Sequence, residues 1–232
     1  MALGRDFAVV LTPKVILRQF AEGSWPVKTP SYMPRITVYR WWRPGDGEVE
    51  YLSSMFSHHS NGQGGPHRDA VTGELNRENG NFSTNFLEAA YQRNLTALGV
   101  ESTLRGAIEW HVRGMYDPDE MSDYSTLRLY GSAGIAVSRP ADGSHEWIGG
   151  VQLGLLTGDI GERFEGTGRL LASLTLAWAP SRRSDLSVFA NYYNGQDYYN
   201  NYYEQRLSAF RIGLATNRDR ARSELPQPPR VF

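Results

Sequence analysis

The chain has 232 residues and a formal net charge of −1, enough for one large domain or two small ones. It lacks the basic excess of a nucleic-acid binder, and with no cysteine it has no disulfide framework and no thiolate metal site. The 13 tyrosines and 24 glycines match a β-barrel with a polar interior, an apolar skin and aromatic girdles. No run approaches the roughly 18 apolar residues of a spanning helix. The start, Met1-Ala2-Leu3-Gly4-Arg5-Asp6, has no apolar core of signal-peptide length, so an exported form is expected to be a processed chain or a fragment.

Period-two alternation of apolar and polar residues runs through the chain and predicts strands over 5–17, 33–43, 48–61, 82–96, 103–116, 127–138, 147–157, 168–179, 185–195 and 205–215. The clearest is 103–116. Leu104, Ile108, Trp110 and Val112 occupy one face, and Arg105, Glu109, His111 and Arg113 the other. Successive side chains of a strand point to opposite faces, so this segment meets two different solvents. Leu127, Leu129, Ile135 and Val137 oppose Arg128, Tyr130, Ser132 and Ser138, and Leu170, Leu174, Leu176 and Trp178 oppose Arg169, Ser173 and Thr175. Leu186, Val188 and Ala190 oppose Asp185, Ser187 and Asn191 in the same way.

These strands exceed the usual globular length of about 5–6 residues and suit the roughly 9–11 tilted residues that cross a bilayer. Short links at 44–47, 97–102, 139–146 and 180–184 alternate with longer ones at 18–32, 62–81, 117–126, 158–167 and 196–204. Outer-membrane barrels sort their periplasmic turns and outer loops in this way. The expected fold is an all-β, antiparallel transmembrane β-barrel over residues 1–216, with about ten strands and both termini in the periplasm. A disordered tail is expected at 217–232, where Pro226, Pro228 and Pro229 fall. A soluble all-β domain with one wet face is the competing architecture.

One strand carries reactive chemistry at its end. In 48–61, Leu52, Phe56, His58 and Ser60 share a face, while His59 falls on the opposite one. A His and a Ser two apart on a strand point the same way, which permits a general base beside a nucleophile. On the next strand Asn81, Ser83, Asn85, Leu87 and Tyr91 share a face. Asn85 therefore lies on the same apolar surface as His58 and is placed to orient its ring, as such a base requires.

The run His58-His59-Ser60-Asn61-Gly62, followed by a loop and then Asn81-Phe82-Ser83-Thr84-Asn85, resembles the outer membrane phospholipase A family. Ser31-Tyr32-Met33-Pro34 resembles that family's Tyr-x-Pro strand entry. Tyr192-Tyr193-Asn194-Gly195 and Tyr202-Tyr203-Glu204-Gln205-Arg206 resemble its final hairpin. The likeness covers roughly 10–216. It implies a 12-stranded barrel in the bacterial outer membrane that cleaves phospholipid acyl esters, requires calcium and works as a homodimer. By position it makes Ser60 the nucleophile, His58 the base and Asn85 the orienting residue, with the Gly62 N–H in the oxyanion hole. Gln63, Asn81 and Ser83 would ligate calcium. Two departures stand out: Gln63 replaces the family's arginine, and Asn81 its ligating serine. The loop 62–81 is also longer, and Asn76, in Leu75-Asn76-Arg77, is an alternative to Asn85.

Two other functions remain open: an esterase of the lipid A deacylase type, whose orienting group is usually acidic, and a non-enzymatic channel or scaffold. The remaining polar groups read as structural. Arg105, Glu109, His111 and Arg113 face inward as a hydrogen-bonding network. Asp117, Asp119, Glu120 and Asp123 form a solvated acidic loop. The tyrosines at 192–203 are expected in an interfacial belt and loop.

Overall fold

The computed structural model describes residues 6–19, 21, 23, 27–98, 100–112, 115, 124–138, 145–158, 168–180 and 186–216. Among them are twelve antiparallel strands and no α-helix. They are β1 (Phe7–Thr12), β2 (Val15–Ile16), β3 (Ser31–Tyr32), β4 (Arg35–Trp42), β5 (Glu48–Ser60), β6 (Ser83–Ala97), β7 (Val100–His111), β8 (Leu127–Ser138), β9 (Glu146–Thr157), β10 (Leu170–Ala179), β11 (Leu186–Gln196) and β12 (Arg206–Thr216). The order across the sheet is β1-β4-β5-β6-β7-β8-β9-β10-β11-β12. The two-residue strands β2 and β3 pair with each other, and β3 also pairs with the end of β5. Nearly every strand thus lies beside its neighbour in sequence, as a meander requires.

The alternation read from the sequence sets the two faces. Along β5, Tyr51, Ser53, Met55, Ser57 and His59 are buried, while Leu52, Ser54 and Phe56 are exposed. Large apolar side chains stand exposed on the outer face of every long strand, among them Val38, Phe56, Leu87, Ile108, Ile135, Leu153, Leu174, Val188 and Ile212. Exposed apolar side chains repeated on strand after strand mark a surface that meets another apolar phase or partner.

The inner face packs at its two ends. Near the long loops, Leu75, Phe82, Tyr124, Leu156, Leu171 and Tyr203 form one apolar cluster. Near the short turns, Tyr39, Trp41 and Tyr51 form a second, and Ala136, Ile148 and Ala177 a third. Between them lies a cavity of about 250 Å³, lined by charged, polar and apolar side chains, whose walls draw on β4 through β11, so the sheet curls round its own inner face. The predicted inward polar rows are there. Arg105 meets Glu88 at 2.5 Å, and Glu109 receives both His111 (3.0 Å) and Arg128 (3.4 Å).

The expected closed barrel is corrected in one respect: among the described residues β1 pairs only with β4 and β12 only with β11, so no ladder there joins the first strand to the last. The segment expected as one strand over 5–17 breaks at Pro13-Lys14. Proline offers no N–H to a ladder and ends the six-residue β1 there. Side chains bridge the two ends of the curl instead. Arg18 meets Asp197 through two hydrogen bonds of 2.6 and 2.7 Å. The Tyr199 hydroxyl donates to the Thr29 carbonyl at 2.7 Å.

Boundaries also moved. The link expected at 97–102 shrinks to two residues between the paired Ala97 and Val100, with Leu98 at φ 52°, a positive φ as two-residue hairpins demand. At the Pro44–Gly47 turn, Gly47 sits at φ 74°, and a Cβ there would lie 2.5 Å from the Thr96 carbonyl oxygen. Arg113, Asp117, Asp119, Glu120, Asp123 and the expected tail 217–232 lie outside the described residues.

Candidate active site

His58 and Asn85 face each other directly across β5 and β6. The His58 N–H donates to Pro34 O (3.1 Å) and the Asn85 carbonyl accepts from Val112 N (3.1 Å), so the backbone groups of both residues point away from the shared edge. That makes them a non-hydrogen-bonded pair, the kind in which facing side chains come closest. His58 Nδ1 lies 3.0 Å from Asn85 Oδ1.

The other end of the Asn85 amide is fixed too: Nδ2 donates to Met115 O at 2.6 Å. A backbone carbonyl can only accept, so the NH2 group must face Met115 and the oxygen must face His58. An oxygen facing Nδ1 places the ring proton on Nδ1 and leaves Nε2 as the basic nitrogen. Among the described residues Nε2 has no hydrogen-bond partner.

Ser60 stands two residues beyond His58 on the same outer face, half-buried and opposite Ser83. Its hydroxyl is bonded neither to His58 nor to any other described residue. The structure therefore brings His58 and Asn85 together and puts Ser60 beside them without a formed bond. Apo active sites often show this looseness in catalytic contacts.

Gly62 follows at φ 68°. The turn is made by Asn61, whose buried Oδ1 accepts from Gln63 N (3.1 Å) and Phe82 N (3.0 Å) while Nδ2 donates to Gly80 O (2.7 Å). The first contact is an Asx turn, and it leaves the exposed Gly62 N–H without an acceptor among the described residues. Such an N–H beside a nucleophile can receive a developing oxyanion. The Tyr32 ring backs this turn, 3.6 Å from where a Gly62 Cβ would stand.

The loop between β5 and β6 is anchored from inside the curl. His67 Nδ1 donates to Asn81 O (2.8 Å) and its Nε2 meets the Tyr203 hydroxyl (3.1 Å). Arg68 binds Glu204 at 2.8 Å. Asn76 is committed to this loop: its Nδ2 donates to Pro66 O (3.1 Å) and Asn79 Oδ1 (2.7 Å). Of the two candidate asparagines, only Asn85 meets His58. His59 points inward and is buried, with Nε2 2.7 Å from Ser31 Oγ.

Gln63, Asn81 and Ser83 cluster around the same turn and strand start. They offer neutral oxygens, a donor set suited to a hard cation such as calcium rather than to a transition metal. Among the described residues no group of three or more His, Cys, Asp or Glu could hold a metal.

Sequence reasoning missed three contributors. Asn61 stands in the run His58-His59-Ser60-Asn61-Gly62, but its role in holding the turn shows only in its hydrogen bonds. Met115 acts through its carbonyl, which every residue has. The tyrosines expected in an interfacial belt and loop divide: Tyr192 is exposed, and Tyr199 and Tyr203 lie in the loop but are buried in its core. No protein-family model matches this chain, and no curated protein matches it either.

Proposed function

We propose that the protein is an outer-membrane acyl hydrolase of the phospholipase A type, with its curled antiparallel sheet in the membrane and its site facing the lipid. The observation that carries this reading is the 3.0 Å contact between His58 Nδ1 and Asn85 Oδ1 on an outer surface dominated by large apolar side chains. A polar pair there costs free energy unless its members satisfy each other, and a structural role gives no reason to aim a basic nitrogen outward beside a serine.

In this mechanism Ser60 Oγ attacks the ester carbonyl of a phospholipid lying against the strand. His58 Nε2 takes the hydroxyl proton and returns it to the leaving alcohol, while Asn85 holds the imidazole in the required tautomer. The Gly62 N–H receives the oxyanion. Calcium bound by the Gln63 carbonyl, Asn81 and Ser83 would polarise the same oxygen. Water repeats the attack to free the fatty acid. The exposed apolar belt supports membrane insertion, and the strand lengths suit the bilayer core. Pairing of two chains in the active form follows from the family resemblance.

The test is fatty-acid release from mixed phospholipid micelles with calcium. The wild-type chain should hydrolyse and Ser60→Ala should not. Equal inertness of both across a calcium series sinks the reading.

A further inference from the structure

The cavity inside the curl has a charge balance that the proposed hydrolase does not use. Its walls carry Lys14, Arg35 and Arg105 against Glu88 and Glu109. Both carboxylates are engaged, Glu88 by Arg105 at 2.5 Å, and Glu109 by His111 at 3.0 Å and Arg128 at 3.4 Å. Lys14 and Arg35 make no side-chain hydrogen bond or ion pair with any described residue. Arg105 keeps a buried Nε–H with no acceptor. Counting Arg128 behind the wall, four cations face two carboxylates.

The two uncommitted cations are held side by side by the backbone. Met33 N donates to Lys14 O at 2.7 Å, and Arg35 lies two residues beyond Met33 at the start of β4. Pro13 breaks the strand just before Lys14. Arg35 is half-buried and Lys14 exposed toward the cavity they line, and a cleft lined by one sign of charge focuses its field on an entering counter-ion.

We propose that this cavity is a binding site for one small oxyanion, a phosphate or a carboxylate, held between Lys14 and Arg35. Lysine supplies a compact charge and arginine a planar fork that matches two oxygens of the same ligand. The volume of about 250 Å³ lies below the roughly 300–1,000 Å³ of drug-sized pockets, which limits the ligand to a small ion. The site is on the inner face and His58 on the outer, so neither proposal depends on the other.

The test is calorimetric titration of the purified full chain in non-ionic detergent at fixed ionic strength. Inorganic phosphate is titrated in one arm and acetate in the other, and the tighter arm identifies the ligand chemistry. Saturable one-to-one binding is expected, weakened about tenfold by Arg35→Met or Lys14→Met, as for loss of one charge-assisted contact. Glu88→Gln should tighten binding several-fold, because it removes a negative charge from the cavity wall that repels the anion and attracts Arg35. That opposite sign separates a lost ligand contact from a lost fold. No saturable binding of either anion, or equal affinity in the wild type and all three variants, overturns the proposal.

Discussion

Asn85 holds His58 with one end of its amide and the Met115 carbonyl with the other, at 3.0 and 2.6 Å. The two contacts are coupled, because a carbonyl at one end dictates which atom meets the ring at the other. On the proposed hydrolase reading Asn85→Ala should lower kcat by about a hundredfold, the low end of what a positioned general base contributes, because His58 loses its orientation, and leave KM little changed. Asn85→Asp should not restore the rate, because its second oxygen would confront the Met115 carbonyl without a proton to share. Steady-state kinetics on the three proteins decides it. Full activity in the aspartate variant would show that Met115 has no part in orienting the side chain.

Asn61 joins Gln63, Gly80 and Phe82 from a buried position. Asn61→Ala leaves the Gln63 and Phe82 N–H groups without this acceptor, at about 1–3 kcal/mol for each that water cannot reach, while Gly80 O keeps its bond from Asn201 Nδ2. The expected result is local: faster amide exchange through 61–82 while strands β8 to β12 keep their protection. Uniform loss of protection over the whole sheet would contradict it.

Ile108 stands near the middle of β7 on the outer face, and Ala107 beside it faces inward. If lipid covers that belt, Ile108→Arg should destabilise the folded protein in bilayers by about 2–4 kcal/mol. The same substitution near a strand end should cost much less. Denaturant titration in liposomes reads the difference, and a flat profile across depth would argue for water on this face.

Asp69 sits at the tip of the β5–β6 loop, where the backbone N–H groups of Thr72 and Val71, followed by the Thr72 hydroxyl, hold its carboxyl below the ordinary aspartate range. A lowered folded pKa contributes stability that is fully present above the unfolded pKa and is lost as the pH falls through the folded value. The turn at 69–73 should therefore loosen only in acid, and Asp69→Asn should remove that pH dependence. Amide exchange of Val71 and Thr72, corrected for intrinsic rates, is the measurement. An identical acid profile in the variant would place the titration elsewhere.

The strands and their faces were legible because one period governs each of them. Phe56, His58 and Ser60 fell on one row and Asn85 and Leu87 on the facing row before any pairing was known, and the β5–β6 register aligned them. What was not legible depended on residues far apart in the chain. Tyr199 and Tyr203 resemble surface tyrosines until Thr29 and His67, 170 and 136 residues away, supply their partners. The closed ladder is expected from strand length and the sorting of short and long links, and neither says whether β1 can reach β12. The break at Pro13 was visible in the sequence, and an uninterrupted strand over 5–17 passed over it.

The loop that carries Gly62 is pinned by Tyr203 and Glu204, partners synthesised 136 residues after His67 and Arg68. Order at the site must therefore wait until the last strands have been made and brought into place. If the proposed chemistry is right, a chain still in transit to the membrane carries its serine and histidine in an unfinished frame. Lipolysis then begins only where assembly ends, and the host's own bilayers are spared along the way.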